Sequence, residues 1–145
     1  MPIEIKIINR SKNPIPQYQT EHSAGVDLSA NIDEETEIKP LERKLIGTGL
    51  YVEIPEGYEA QIRPRSGLAA KSGITIINTP GTIDADYRGE IKVCLVNLSN
   101  EIYTIKNGDR IAQMVFARYE KVQFILSENL SDTPRGEGGY GHTGK

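Results

Sequence analysis

Short alternating runs make up most of the chain. Near its start Ile3, Ile5 and Ile7 alternate with Glu4 and Lys6, the period-two pattern of a half-buried strand. A proline-broken loop through Pro14 and Pro16 follows, then a compact glycine-containing segment from His22 to Ala30. Leu41 to Leu50 is mixed in character. Tyr51 to Ile62 reads as a hairpin turning at Pro55-Glu56-Gly57, because proline and glycine supply the dihedrals of a tight turn. Ile91 to Leu98 reads as a strand with Lys92, Cys94 and Val96 on one face and Val93 and Leu95 on the other. Asn107-Gly108-Asp109 marks a turn, and Ile111 to Tyr119 a further strand. The one helical pattern is short, around Gly67 to Ser72. Strands recurring every 8–12 residues or so predict an all-β sandwich, jelly roll or barrel.

The densest stretch runs from Asn78 to Glu90 and reads NTPGTIDADYRGE. Thr79-Pro80-Gly81-Thr82 has the composition of a type II turn, with proline where φ is pre-set and glycine where φ is positive. Ile74 to Ile77 on one side and Thr82 and Ile83 on the other are β-branched, which predicts a hairpin. Asp84, Asp86, Tyr87 and Arg88 follow at once. Read alone, the stretch is either a site on a scaffolded loop or a solvated turn that carries charges.

Bulk numbers narrow the partners. At 145 residues, with 26% charged and 37% apolar, the chain predicts one soluble globular domain. The expected division is a β body over 1–130 and a flexible glycine-rich tail over 131–145, with five glycines and no apolar period in the tail. Apolar runs fall far short of the roughly 20 residues of a membrane span, and the first residues form no signal-peptide core. The single cysteine, Cys94, fits a reducing cytoplasm and is expected in the core of its strand. The glycosylation-like tripeptides at Asn97 and Asn129 are discounted for want of an export signal. A net charge of −3 gives no broad attraction to nucleic acid. A phosphate ligand would have to be held by local arginines, backbone N–H groups or a bridging divalent cation.

Candidate chemistry is scattered. Gly136-x-Gly138-x-x-Gly141 imitates a dinucleotide fingerprint, and Gly139 to Lys145 nearly imitates a P-loop. Both need a strand before and a helix after, and here neither follows. Arg135 among these glycines could still help wrap N–H groups around phosphates, or the segment could simply be a disordered terminus. Arg63-Pro64-Arg65-Ser66-Gly67 is a possible anion cradle, or a hairpin end with solvated arginines. Asp27 is a possible Mg²⁺ ligand or a turn-capping residue. With two histidines and one thiol, a zinc site or a Cys–His dyad is not expected. An activated water is the better nucleophile, and a carboxylate near Tyr87 its base.

Five stretches in order resemble the motifs of the trimeric dUTPase family, the deoxyuridine triphosphate nucleotidohydrolases. They are Ala24 to Ala30, Pro64 to Lys71, Asn78 to Glu90, Gly108 to Gln113 and Arg135 to Gly144. Each is weak alone, and together they span most of the chain. The resemblance implies a jelly-roll subunit and a homotrimer with active sites shared between subunits. It also implies Mg²⁺-dependent hydrolysis of dUTP to dUMP and diphosphate, which keeps uracil out of DNA and supplies dUMP for thymidylate synthesis. By resemblance, Asp84 orients and deprotonates the water and touches the 3′-hydroxyl. Tyr87 packs on the deoxyribose and leaves no room for a 2′-hydroxyl. Asn78 and the backbone through Thr82 and Ile83 read uracil, and Lys92 adds a backbone contact. Arg65, Ser66, Gly67 and Gln113 hold the phosphates, and Asp27 anchors Mg²⁺ through water. Arg135 clamps the γ-phosphate and Tyr140 stacks on uracil as the tail closes over the site.

Three positions depart from the common family pattern: Tyr140 stands for Phe, His142 for Ser, and Val26 for a larger residue. A dCTP deaminase of the same fold is the nearest alternative. A non-catalytic dUTP-binding sensor is an alternative of another class.

Overall fold

The computed structural model describes residues 2–144, so Lys145, the last residue of the expected tail, lies outside it. Eleven strands and one helix follow in chain order. The strands are β1 (Lys6–Asn9), β2 (Gly25–Ser29), β3 (Thr36–Ile38), β4 (Arg43–Gly47), β5 (Leu50–Glu53) and β6 (Tyr58–Arg63). After α1 (Ser66–Ser72) come β7 (Ile74–Ile76), β8 (Gly81–Ile83), β9 (Lys92–Asn97), β10 (Tyr103–Ile105) and β11 (Arg110–Arg118). They form a four-stranded sheet in the order β2-β11-β6-β8, a three-stranded sheet β4-β9-β7, and the pairs β1-β5 and β10-β3.

Alternation of buried and outward side chains closes the core. In β2, Val26 and Leu28 point inward while Gly25, Asp27 and Ser29 face out. Ala60 and Ile62 of β6, Ala112 and Met114 of β11, Ile74 and Ile76 of β7, and Val93 and Leu95 of β9 join them in one buried cluster. Truncating any one of the larger of these side chains removes transfer energy and leaves a cavity, a cost of about 2–5 kcal/mol. Asn97 is the polar hub of this interior. Its amide donates to the Ile38 and Glu101 carbonyls at 2.8 and 2.7 Å, and its oxygen accepts from Ser99. The first glycosylation-like tripeptide is therefore a buried structural asparagine with no amide hydrogen to spare.

Several expectations are corrected. The arms of both predicted hairpins part company: β5 pairs with β1 and β6 with β11 and β8, while β7 pairs with β9. The Pro55–Gly57 turn itself forms, with Tyr58 N–H donating to Pro55 and Gly57 at φ +84°. Hydrophobic period identifies strands but not partners, and successive jelly-roll strands cross from one sheet to another. The 79–82 turn is not type II, since Gly81 is absent from the positive-φ region and the Thr79–Pro80 bond is cis. Cys94 is only half-buried, because Val96 rather than Cys94 is covered on that face of β9. Asp27 caps no turn; it sits in the middle of β2. β3 and β10, paired with each other, are too short to carry a readable period.

The last strand ends at Arg118, and Tyr119 N–H still reaches the Gly57 carbonyl. Beyond it the chain runs without a ladder, and Phe124, Ile125 and Leu126 are 93%, 84% and 103% exposed. Among the described residues, the hydrogen bonds of 127–144 all close within that segment. No helix of the described residues is long and apolar enough to cross a membrane.

Candidate active site

Strand register builds the first half of the site. Gln113 of β11 lies opposite Asp27 of β2 on one side and Arg63 of β6 on the other. All three therefore share the outer face of the sheet. Arg65, just past β6 at the start of α1, sends Nε to Asp27 Oδ1 at 3.1 Å and Nη1 to the Arg110 carbonyl at 3.2 Å. Arg110 Nη1 takes the other Asp27 oxygen at 3.2 Å. A register shift between Arg110 and Ala112 marks a bulge at the head of β11, and bulges re-aim the side chains beside them. The Gln113 amide donates to the Pro64 carbonyl at 2.9 Å. Gly25 keeps the space above it open, since a Cβ there would meet Gln113 Oε1 at 2.5 Å. Ser66 and Gly67 open α1 beside these groups and are exposed. The predicted Arg65, Ser66, Gly67, Gln113 and Asp27 are thus brought together, with two guanidiniums over one carboxylate. Arg63 is not part of the group, because Gln61 Oε1 takes its Nε and Nη2. Arg110 was not singled out from the sequence; the bulge that aims it leaves no periodic mark.

The second half is the 78–92 segment. β8 pairs with β6 through Ala60↔Ile83, Gln61↔Thr82 and Ile62↔Gly81, and its other edge is open. An open edge presents unpaired backbone donors and acceptors to a ligand. The Asn78 amide folds over Gly81, whose added Cβ would lie 3.5 Å from Nδ2. Asp84 is exposed, and no hydrogen bond among the described residues engages its carboxylate. Its carbonyl accepts Tyr87 N–H at 3.1 Å, closing a turn that sets the tyrosine three residues on. Arg88 turns away to the carbonyls of Ala85 and Tyr87 at 2.7 and 3.0 Å. Lys92 begins β9 opposite Gly47, its ammonium 3.6 Å from Glu90.

These halves do not meet within one chain. Counting along the ladder, Asp84 lies two strands and four residues from Gln113, and three strands and four residues from Asp27. At about 4.8 Å between strands and 3.3 Å per residue, that is roughly 16 Å and 20 Å. Nor does the tail join either half. Arg135 Nε donates to the Gly138 carbonyl at 2.8 Å, and Tyr140 is 114% exposed at φ +50°.

No three histidine, cysteine or carboxylate side chains among the described residues converge as metal ligands. Both Asp27 oxygens already accept guanidinium hydrogens. That donor set forms no closed cage. It fits a magnesium ion carried on phosphates, since Mg²⁺ keeps several waters and takes one or two carboxylates with substrate oxygens.

An outward cluster of arginines and an amide on this all-β fold is chemically suited to phosphate oxygens, and it is set apart from the exposed Asp84 carboxylate just past the edge strand β8. A family model described as dUTPase matches residues 5–144. The deoxyuridine 5′-triphosphate nucleotidohydrolase of Finegoldia magna is 59% identical over 142 residues, covering 98% of this chain and 99% of that one. That of Cytophaga hutchinsonii is 59% identical over 145 residues, covering 100% and 94%. The dUTPase of Staphylococcus bacteriophage 80alpha, solved with dUpNHpp, superposes with TM-score 0.88 at 27% identity, covering 98% and 99%. The chain belongs to the dUTPase family. It hydrolyses dUTP to dUMP and diphosphate, and its fold is the jelly-roll-like fold of that family.

Proposed function

We propose that the enzyme works as a homotrimer whose active sites are shared between subunits, with Mg²⁺ carried on the triphosphate. The observation that carries this reading is the gap of roughly 16 Å or more between Asp84 and the anion cluster of its own chain. That distance exceeds the span from the α- to the γ-phosphorus of one nucleotide. A second copy can supply the missing half. The apolar side chains at 122, 124, 125, 126 and 130, exposed in a single chain, would gain cover in such an assembly.

The chemistry then divides by residue. The open edge of β8, through Thr82 and Ile83, and the Asn78 amide pair with uracil. Cytosine is rejected because it leaves those groups unmatched. Tyr87 lies against the deoxyribose, and the Lys92 backbone adds a contact. Asp84, whose carboxylate takes no hydrogen bond among the described residues, holds a water in line with the α-phosphorus and accepts its proton. Arg65, Gln113, Ser66 and the Gly67 backbone hold the β- and γ-phosphates of the leaving diphosphate. Arg135 of the tail adds a guanidinium at the γ end, and Tyr140 covers the base. Closure excludes bulk water. Asp27 would hold the ion through water, with Arg65 and Arg110 still on its oxygens. Mg²⁺ would supply positive charge that offsets the charge building on the leaving diphosphate. Both the free Cys94 thiol and the nucleotide substrate suit the cytoplasm.

The test is direct. With Mg²⁺, dUTP should release diphosphate quickly while dCTP, dTTP and UTP do not, and chelation should abolish turnover until Mg²⁺ is restored. Scattering mass should equal three chains. Undiminished turnover after chelation, ammonia from dCTP, or a monomeric active enzyme would each contradict the reading.

A further inference from the structure

Tyr87 is the ring proposed above to exclude a 2′-hydroxyl, and its orientation is set by contacts that the reaction itself does not use. Its hydroxyl donates to the Glu90 carbonyl at 2.9 Å. Its ring lies across Gly89 so closely that a Cβ there would sit 2.3 Å from Oη and 2.5 Å from Cζ. Gly89 is not in the positive-φ region, so the space above it, not its backbone freedom, is what the ring requires.

Glu90 is in turn anchored away from the site. Its Oε1 accepts Gly49 N–H at 2.9 Å, and its Oε2 lies 3.6 Å from Lys92 Nζ. The bend between β4 and β5 is shaped to receive that carboxylate: a Cβ on Gly47 would meet Oε1 at 2.9 Å. Next to it, Thr48 donates through N–H and Oγ1 to the Ile91 carbonyl at 3.2 and 2.6 Å, and Ile91 N–H donates to Leu50 at 2.8 Å. Thr48 and Ile91 are 1% and 0% exposed. Glu90 and Ile91 are thus fastened to a buried bend, and the Glu90 carbonyl is the acceptor for Tyr87.

We propose that Glu90 is a positioning residue for sugar selection. Its carboxylate fixes the carbonyl that aims the Tyr87 ring, and Gly89 leaves the room in which that ring lies. The inference rests on the reading of Tyr87 as the wall against the 2′-hydroxyl.

The readout is the ratio of kcat/KM for dUTP over UTP. Tyr87→Ala should lower it and so establishes the ring's role. Glu90→Ala should lower it about tenfold, the order expected when a charge-assisted hydrogen bond is lost. Glu90→Gln keeps an acceptor for Gly49 N–H and should stay within about threefold of the parent. Gly89→Ala displaces the same ring without touching the carboxylate and should also lower the ratio. Tyr87→Phe breaks the shared link, so adding Glu90→Ala to it should cost less than Glu90→Ala alone.

A merely structural Glu90 would slow both substrates together and leave the ratio unchanged, which overturns the proposal. If Glu90→Ala does not fold, Gly89→Ala decides alone, and a parental ratio there overturns it equally. An unchanged ratio in Tyr87→Ala removes the reading of Tyr87 and this inference with it. A lowered ratio there, with parental ratios in Glu90→Ala and Gly89→Ala, removes only the inference.

Discussion

Asp84→Asn should lower dUTP turnover by roughly 10²–10⁴-fold, the range for loss of a general base, while dUTP still binds. The substitution keeps shape and one acceptor oxygen but cannot take a proton from water. Asp84 is chosen over its neighbours on geometry. Its carboxylate is free of hydrogen bonds among the described residues, and its carbonyl fixes Tyr87, the ring proposed to face the sugar. Asp86, two residues on, has no such link to the tyrosine. Binding should survive because the groups proposed to hold the phosphates, Arg65 and Gln113, are not touched by the substitution. Single-turnover rates and equilibrium binding of dUTP separate the two effects. Near-parental turnover would remove Asp84 from the chemistry.

Deleting Arg135 to Lys145 should cost activity on the order of 10³-fold, the low end of what a charge-stabilising arginine supplies in phosphoryl transfer. The melting temperature and the oligomer mass should hardly move. The tail's hydrogen bonds close on itself among the described residues, as in Arg135 to Gly138 and His142 to Gly139, so its loss uncovers no core. Tyr140 is fully exposed in the single chain, which leaves both faces of its ring free to stack. Calorimetry beside steady-state kinetics distinguishes a closing segment from a structural one. A large fall in melting temperature would make the tail part of the body.

Much of this was legible in the residues. Alternation and turn signals give β6, β9 and β11 almost to their ends, and Gly67 to Ser72 gives α1, whereas β2 lies hidden in what reads only as a compact glycine-containing segment. The five motif stretches led to the family because their residue types and order are specific together. What period cannot carry is partnership. Nothing in Ile74 to Ile83 says that its two arms join different sheets, and nothing in Tyr51 to Ile62 says that β5 leaves for β1. Three-residue strands such as β3, preceded by Glu34 and Glu35 and carrying Glu37 at its centre, look like loop because exposed edges tolerate charge. Arg110 was missed for a related reason: a bulge aims it at Asp27, and a bulge breaks the very period that would reveal it. Glu90 reads as the end of a motif, whereas its carboxylate accepts a hydrogen bond from Gly49, 41 residues back along the chain.

A mixed-subunit experiment tests the shared site most directly. Asp84→Asn chains lack the proposed base and tail-deleted chains the proposed clamp, so neither protein should work alone. If hairpin and tail of one site come from different chains, an active site needs its hairpin from a tail-deleted chain and its tail from an Asp84→Asn chain. With random equal mixing in a closed trimer each condition holds half the time, so about a quarter of the sites should regain activity. The two proteins must be co-expressed or refolded together, and mixing verified by mass. Recovery near that fraction is the result the shared site predicts; verified mixed trimers with no recovery would contradict it.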